Sequence, residues 1–231
     1  MTERILPEPE KNQVCAPADE SILEFYKGYF DSVYVILHPF LKIANPDKID
    51  FEKDDYPSKD EITNYCEKIT WKRYLEFSGI EDIKTLDIAL RNSIGGLKEK
   101  FKNDISTAKL DKTFDEHKIY HPSEGNFQKI ILDSMLNGLI KLGHKWIYIG
   151  DEFGTERKLI FIEDVLSNKE VITDWYKNIF TPKNEILYTV HWDSHFTLLC
   201  SDRENIDSIV TEFDFEGFYC NQSTEIYWSV T

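Results

Sequence analysis

Two histidines and one carboxylate alternate in the segment HWDSH, at residues 191–195 near the C-terminal end of the chain. If the chain is extended there, His191, Asp193 and His195 lie on one face of a strand, because successive side chains point to opposite faces. Two imidazoles and a carboxylate in one row suit a divalent metal ion of the zinc class, or a histidine–aspartate pair in acid–base catalysis. The row therefore predicts a catalytic or metal-binding site.

Two structural interpretations of the same segment compete with that hypothesis. The row also fits the solvated face of an antiparallel strand. Alternatively, Asp193 and Ser194 form a turn, because the fourteen residues 187–200 exceed the usual strand length of about 5–6 residues. A turn would produce two strands, 187–192 and 195–200, and would separate the three polar side chains. The sequence leaves these interpretations open.

A second group of charged residues follows the predicted strand at residues 145–150. It contains Asp151, Glu152, Glu156 and Arg157. Carboxylates at the end of a strand can bind a divalent cation or act as acid and base, so the first two residues are candidate metal ligands and the last two are candidate catalytic groups. The segment matches neither an EF-hand loop nor a kinase motif, and acidic hairpin loops are common on acidic proteins. A joint site requires that the fold bring this loop to the histidine row.

Hydrophobic patterns predict the elements that position both groups. Residues 145–150 and 158–162 predict a β-hairpin with a glycine-containing loop. Ser201 and Glu204 form a capping-box pattern that predicts the start of an amphipathic helix. The alternation in residues 224–230 predicts a final strand.

Most of the other predicted elements are helices in the N-terminal half of the chain. Residues 33–37 predict a buried strand, and residues 103–122 predict a polar loop. Capping patterns and apolar spacing predict the helices. These helices are one after Ser58 that carries Cys66 and Ile69, one from Thr70 to Gly79, and those at 82–102, 123–142 and 168–179.

This order of elements predicts an α+β fold. Helices dominate before about residue 143 and strands dominate after it, so a helix-rich N-terminal half is expected to pack on a mixed or antiparallel sheet formed mainly by the C-terminal half. The 231 residues are expected to form a single domain, 1–231, with a loose N-terminal tail over residues 1–14.

Charge and composition restrict the classes of partner. The formal net charge of −15 disfavours nucleic acids and anionic membranes and suits a basic protein partner. The polar N-terminus does not resemble a signal peptide, and no apolar run approaches the roughly 20 residues of a membrane span, so a cytoplasmic location is predicted. The four cysteines lack C-x-x-C spacing, which predicts free thiols and no zinc cluster or disulfide framework.

Four phrases of the sequence resemble a family of uncharacterised proteins from Firmicutes, classed as a domain of unknown function. They are SVYVILHPFLKI, WIYIGDEFGTERKLIFIED, HWDSHFTLLCS and FEGFYCNQSTEIYW, and the resemblance covers nearly the whole chain. It implies a stand-alone bacterial cytoplasmic protein, and it transfers no catalytic residue.

Two functional hypotheses follow from the sequence. The first is a non-enzymatic acidic module that binds another protein, for example an immunity-like antagonist of a basic toxin or nuclease. No cofactor is predicted for it. The alternative is a metal-assisted hydrolase in which His191, Asp193 and His195 bind a divalent ion and a carboxylate of the 151–156 loop acts as general base. The sequence sets no oligomeric state.

Overall fold

The computed structural model describes residues 8–18, 20–45, 48, 57–168 and 171–230. Within these residues the fold contains both helices and strands, and the predicted α+β class is confirmed. The strands, in chain order, are β1 Ser32–Leu37, β2 Phe40–Ile43, β3 Cys66–Ile69, β4 Ile119–Tyr120, β5 Trp146–Asp151, β6 Arg157–Phe161, β7 Tyr176–Phe180, β8 Leu187–Thr189, β9 Phe196–Ser201 and β10 Gly217–Tyr219.

A seven-stranded sheet forms the centre of the fold, in the order β10-β1-β9-β8-β7-β5-β6. Each neighbouring pair is antiparallel. Apart from β1, every strand of this sheet comes from the C-terminal half, as the sequence predicts. The β5–β6 hairpin also forms as predicted, with Trp146 paired to Phe161 and Gly150 paired to Arg157.

The helices cover both faces of this sheet. In chain order they are α1 Ile22–Phe25, α2 Lys59–Tyr65, α3 Trp71–Ser78, α4 Ile83–Ser93, α5 Asp104–His117, α6 Lys129–Lys141, α7 Ile162–Ser167 and α8 Arg203–Phe213. One core lies between the sheet and helices α1, α3, α4 and α5. The other lies between the opposite face and helices α6, α7 and α8. All six residues of β9 are buried in consequence, which explains why that strand does not alternate apolar and polar residues. Among the described helices, none is both long enough and apolar enough to cross a membrane.

A small second sheet, in the order β3-β2-β4, was not expected from the sequence. The predicted helix after Ser58 ends at Tyr65, and Cys66 and Ile69 belong to β3, where they pair with Ile43 and Phe40. The four apolar residues whose spacing predicted a single helix are therefore divided between α2 and β3. The predicted capping box at the helix start is confirmed, because Ser58 and Glu61 exchange their side-chain and backbone hydrogen bonds.

Helix α3 forms as predicted, and α4 is shorter than predicted. The Thr70 side chain caps α3, which ends at Gly79 in the left-handed conformation. Helix α4 ends at Ser93, and the glycine pair that was expected inside a longer helix lies beyond its end, with Gly95 at φ +75°. A left-handed glycine stops a helix because it turns the chain away from the helix axis.

Several other predicted elements are wrong. The predicted loop 103–122 contains α5, whose start is capped by the Asn103 side chain. The predicted helix 168–179 is not observed in the described residues: α7 ends at Ser167, before this segment, and β7 begins at Tyr176 within it. The segment 224–230 forms turns and not a strand.

Two predicted boundaries and the predicted tail also differ in detail. Helix α6 starts at Lys129 and not at Ser123. Helix α8 is capped by Asp202 and not by the predicted Ser201–Glu204 box. In the predicted tail, residues 1–7 lie outside the described residues, whereas Val14 is buried in the first core.

Candidate functional site

One end of the central sheet carries both predicted groups of polar residues. Here β1, β5 and β8 end and β6, β7, β9 and β10 begin, as the registers Leu37↔Phe196, Asp151↔Tyr176 and Gly150↔Arg157 require. We call it the loop end of the sheet. The antiparallel topology brings the segments 151–157 and 191–195 to this end because each one links adjacent or nearby strands.

The segment 191–195 is a turn between β8 and β9. The Ser194 backbone N–H donates to the His191 carbonyl at 3.0 Å, and the Asp193 N–H donates to Nδ1 of His191 at 3.2 Å. Of the three interpretations of the sequence, the two-strand one is therefore observed, and the single extended row is not. His191 and His195 are each 2% exposed, whereas Trp192 between them is 44% exposed, so the two histidines of the turn point into the protein interior.

A buried arginine of α4 anchors this turn. Arg91 pairs with Asp87 at 2.7 Å, and both side chains are fully buried. Its two terminal nitrogens donate to the carbonyls of Asp193 at 2.8 Å and Ile226 at 2.9 Å. The Tyr227 hydroxyl donates to the Asp193 carboxylate at 2.6 Å. The predicted catalytic carboxylate is thus engaged by a structural network that joins α4, the turn and the C-terminal segment.

Two further histidines, His38 and His121, lie near His195 of the turn. Burial lowers the pKa of His195 well below 6.5, and Arg91, His38 and His121 lower it further through their charges. Burial likewise lowers the pKa of His38 to about 4, although a hydrogen bond with the Ser123 carbonyl opposes the shift, and it lowers the pKa of His121. These rings are therefore neutral near pH 7.

The loop 122–127 packs on the turn and forms its outer wall. The Gly125 N–H donates to the Ser194 carbonyl at 2.9 Å. Gly125 has φ +59°, and a Cβ atom there would collide with the Trp192 carbonyl. On its other side the loop accepts hydrogen bonds from the Lys177 ammonium, at the Gly125 carbonyl (2.6 Å) and Oδ1 of Asn126 (2.5 Å).

Asp151 stabilises the hairpin loop that carries the second predicted group. Its carboxylate accepts hydrogen bonds from the Glu156 N–H at 2.8 Å and the Thr155 hydroxyl at 2.7 Å. Burial raises the pKa of Asp151, but these hydrogen bonds outweigh burial and hold the pKa below its ordinary value. Glu152 is half-buried, whereas Glu156 and Arg157 are exposed. Asp151 thus has a structural role, and the other three charged residues face the surface.

The two predicted groups share one end of the sheet but do not converge. Strand β7 separates β5 from β8, which places Asp151 and the turn about 10 Å apart across the sheet at the usual strand spacing. In the part of the chain that the structure describes, no three His, Cys, Asp or Glu side chains are arranged to hold a metal ion. The metal-ligand candidates His191, Asp193, His195, Asp151 and Glu152 therefore occupy two separate places.

A cleft between the hairpin loop and the start of β7 was not foreseen from the sequence. It has a volume of about 100 Å³ and is lined by Asp151, Glu152, Phe153, Asp174, Trp175 and Lys177. Phe153 is 65% exposed and Trp175 is 62% exposed, which makes them the most exposed aromatic side chains among the described residues. We call this the acidic–aromatic cleft. Trp175 gave no signal in the sequence because it lies in the segment wrongly predicted as a helix.

A larger cavity lies beside the cleft and shares Asp174 with it. Its volume is about 440 Å³. Its lining combines apolar residues of the loop 122–127 with carboxylate, hydroxyl and amide groups. These residues are Pro57, Ser58, Ile62, Pro122, Ser123, Glu124, Asn126, Phe127, Lys129 and Asp174. We call it the loop cavity.

Comparison with known proteins confirms the resemblance seen in the sequence. The chain is 24% identical over 223 residues to the uncharacterized protein YwbB of Bacillus subtilis (strain 168), and the match covers 91% of this chain and 96% of that protein. No solved structure matches the chain. A family model described as "Protein of unknown function (DUF2711)" matches residues 18–230. The chain therefore belongs to the DUF2711 family.

Proposed function

We propose that the protein is a non-enzymatic module that binds a basic segment of another protein in the acidic–aromatic cleft. The observation that carries this proposal is the exposure of Phe153 and Trp175, 65% and 62%, beside carboxylates in one concave surface. Large exposed aromatic residues in such a place are typical of binding sites. A toxin or nuclease with a basic surface fits this chemistry, and the module would then act as its immunity-like antagonist.

The physical chemistry of the cleft suits a lysine or arginine side chain. A cation over the face of an aromatic ring gains about 0.5–2 kcal/mol, depending on how far it is desolvated. Glu152 and Asp174 supply negative charge at the same place, since both act on Lys177, which also lines the cleft. The net charge of −15 would accelerate association with a basic partner through long-range attraction.

Lys177 leaves room for such a cation although it lines the cleft. Its ammonium points to the loop 122–127, where the Gly125 carbonyl and Asn126 accept its hydrogen bonds. Burial lowers the pKa of Lys177, and the charges of Asp174 and Glu152 oppose that shift. The lysine thus links the cleft to the neighbouring loop while the aromatic faces stay exposed.

A peptide-binding experiment tests the proposal. The probe is a fluorescein-labelled decapeptide of alternating lysine and glycine, and its anisotropy is measured against the protein at low and at physiological salt. We expect Trp175→Ala to weaken binding about tenfold and Trp146→Ala to leave it unchanged. Trp146 is a matched control because it is also exposed, at 48%, but lies at the opposite end of β5.

The control separates specific docking from attraction to the acidic surface as a whole. Equal binding by wild type and Trp175→Ala would mean that the peptide follows net charge alone, and the cleft would lose its proposed role. Absence of binding by the wild type even at low salt would contradict the module itself.

The metal-assisted hydrolase is the second candidate, and one observation favours it. Nδ1 of the buried His195 has no hydrogen-bond partner among the described residues, and an unsatisfied buried nitrogen calls for a role. Isothermal titration with zinc tests this candidate. Stoichiometric binding that His195→Gln abolishes would favour the hydrolase over the binding module.

A further inference from the structure

We infer that the bound basic segment presents two cationic side chains, one to the acidic–aromatic cleft and the second to the loop cavity, where it pairs with Glu124. This inference rests on the proposed function and specifies its ligand. The two concave surfaces are neighbours because Asp174 lines both. Lys177 forms the boundary between them, since it lines the cleft and its ammonium bonds the loop that walls the cavity.

The size of the loop cavity suits a whole side chain. Its volume of about 440 Å³ falls within the roughly 300–1,000 Å³ of typical ligand pockets. The acidic–aromatic cleft, at about 100 Å³, accommodates only the end of one side chain. A ligand that fills both would therefore insert one side chain deeply and lay a second one against Phe153 and Trp175.

The lining of the loop cavity matches the two parts of a lysine side chain. Its apolar wall suits a methylene stem, because long basic side chains cover apolar surface while the charged end reaches a polar group. That wall consists of Pro57, Ile62, Pro122 and Phe127. Glu124 provides a carboxylate for the ammonium, and Asp174 adds a second acidic residue to the lining. The cavity's own lysine, Lys129, is buried and donates a hydrogen bond to the Ile172 carbonyl at 2.6 Å.

The electrostatics of Glu124 support a cationic occupant. Burial raises the pKa of Glu124, the nearby charge of Asp193 raises it further, and Arg91 lowers it. Asp193 and Arg91 are already engaged with each other and with Tyr227. An ammonium in the cavity would favour the ionised form of Glu124, since an opposite charge at close range stabilises a carboxylate.

Paired peptides test the inference. The probes are acetylated glycine peptides that carry either one lysine or two lysines separated by zero to four glycines, and binding is followed by calorimetry. We expect the best two-lysine peptide to bind wild type about tenfold more tightly than the one-lysine peptide. Glu124→Gln should remove that gain and keep the affinity for the one-lysine peptide. Glu204→Gln, which makes the same charge change on an exposed residue of α8, should keep the gain.

The outcomes separate failure of this inference from failure of the proposed function. If Glu124→Gln retains the tenfold gain, or if wild type shows no gain at any spacing, the second subsite is overturned and the cleft stands. If neither peptide binds wild type, both proposals fall. If free 1,5-diaminopentane binds as tightly as the best peptide, the occupant would be a free diamine and not a peptide, and the inference would be overturned.

Discussion

The turn at 191–195 and the loop at 151–157 differ in where their polar groups point, although both look like active-site segments in the sequence. In the turn, His191 and His195 are each 2% exposed, and Arg91 and Tyr227 engage Asp193. In the loop, only Asp151 is buried among the charged residues, and Phe153 projects into solvent. The turn joins parts of the protein, whereas the loop presents a surface.

The difference shows that burial, and not residue type, separates these two roles. A buried polar group must find partners within the protein, because an unsatisfied one costs about 1–3 kcal/mol. In the turn, the backbone carbonyls and the Asp193 carboxylate make such hydrogen bonds, whereas the Ser194 hydroxyl and Nδ1 of His195 have no hydrogen-bond partner among the described residues. The loop needs only the Asp151 carboxylate for its own structure, which leaves Glu152 and Glu156 at the surface.

The largest expected effect comes from breaking the anchor of the turn. Arg91→Met leaves Asp87 buried without its counter-charge and releases the Asp193 carbonyl. We expect a loss of about 3–5 kcal/mol in the free energy of unfolding, measured by urea denaturation. Lys141→Met is the matched control, because it removes a cation from the exposed pair with Glu212 and should change stability little. A loss below about 1 kcal/mol for Arg91→Met would refute the anchoring role.

The second effect tests the packing of loop 122–127 on the turn. Gly125 and Gly79 have nearly equal φ values of +59° and +62°, but only a Cβ on Gly125 meets another backbone, that of Trp192. Gly79→Ala should cost about 1–2 kcal/mol for left-handed strain. Gly125→Ala should cost about 1–3 kcal/mol more for overpacking, as judged by thermal unfolding. Equal losses of stability for the two variants would show that loop 122–127 moves to accommodate the added Cβ atom at no cost in free energy.

The third effect uses pH to test the buried histidines beside the turn. Because the pKa of His38 is lowered to about 4 in the folded state, the unfolded chain binds its proton more readily. Stability is therefore complete above pH 6.5 and falls as the pH drops from 6.5 towards 4, by about 1.4 kcal/mol per pH unit for each such histidine. Asp151, with its lowered pKa, contributes stability above its unfolded pKa of 3.8 that is lost only below that value.

Urea denaturation between pH 7 and pH 4.5 measures this slope. His38→Gln should reduce it by the contribution of one histidine, whatever the substitution does to stability at pH 7. An unchanged slope would mean that His38 titrates alike in the folded and unfolded chain.

The smallest expected effect on stability concerns the acidic–aromatic cleft beside the loop at 151–157. Trp175→Ala removes a side chain that is 62% exposed, so we expect the free energy of unfolding to stay within about 0.5 kcal/mol of wild type. The same variant should weaken peptide binding about tenfold, whereas Arg91→Met at the turn loses stability. A large destabilisation by Trp175→Ala would place this tryptophan with the structural residues.

Two helices that combine a local cap with a clear apolar stripe were predictable from the sequence. Helix α2 is capped by Ser58 and Glu61, and α3 is capped by Thr70 at its start and by Gly79 at its end. Each cap contacts a backbone group only three or four residues away, so a short stretch of sequence carries its signal. Elements set by distant contacts were missed. Residues 66–69 become a strand because β2 pairs with them, and helix α5 has only a weak apolar stripe, with Leu110 as its one core residue in the first cluster.

The candidate site was predictable only in part. The sequence placed the 151–157 segment after a strand, but it left open whether 191–195 lies within one strand or forms a turn between two. The topology then placed both segments at one end of the sheet. The sequence did not indicate that Arg91 would bury its charge under the turn, although Asp87 and Arg91 sit four residues apart beside Leu86 and Leu90 in an apolar stripe. Such a pair within a core-facing stripe is a readable signal. Exposure of Trp175 was not readable, since it depends on how β7 meets the hairpin loop.

The rates at which the four free thiols react with an alkylating reagent would report how readily different parts of this fold open. Cys200 lies in the middle of the central sheet with both faces covered, and burial raises its pKa well above the ordinary value. Cys66 lies half-buried in the small sheet, where burial raises its pKa to about 11. Only a thiolate released from the interior reacts with an alkylating reagent. Cys66 should therefore be labelled when the small sheet opens locally, whereas labelling of Cys200 should require global unfolding.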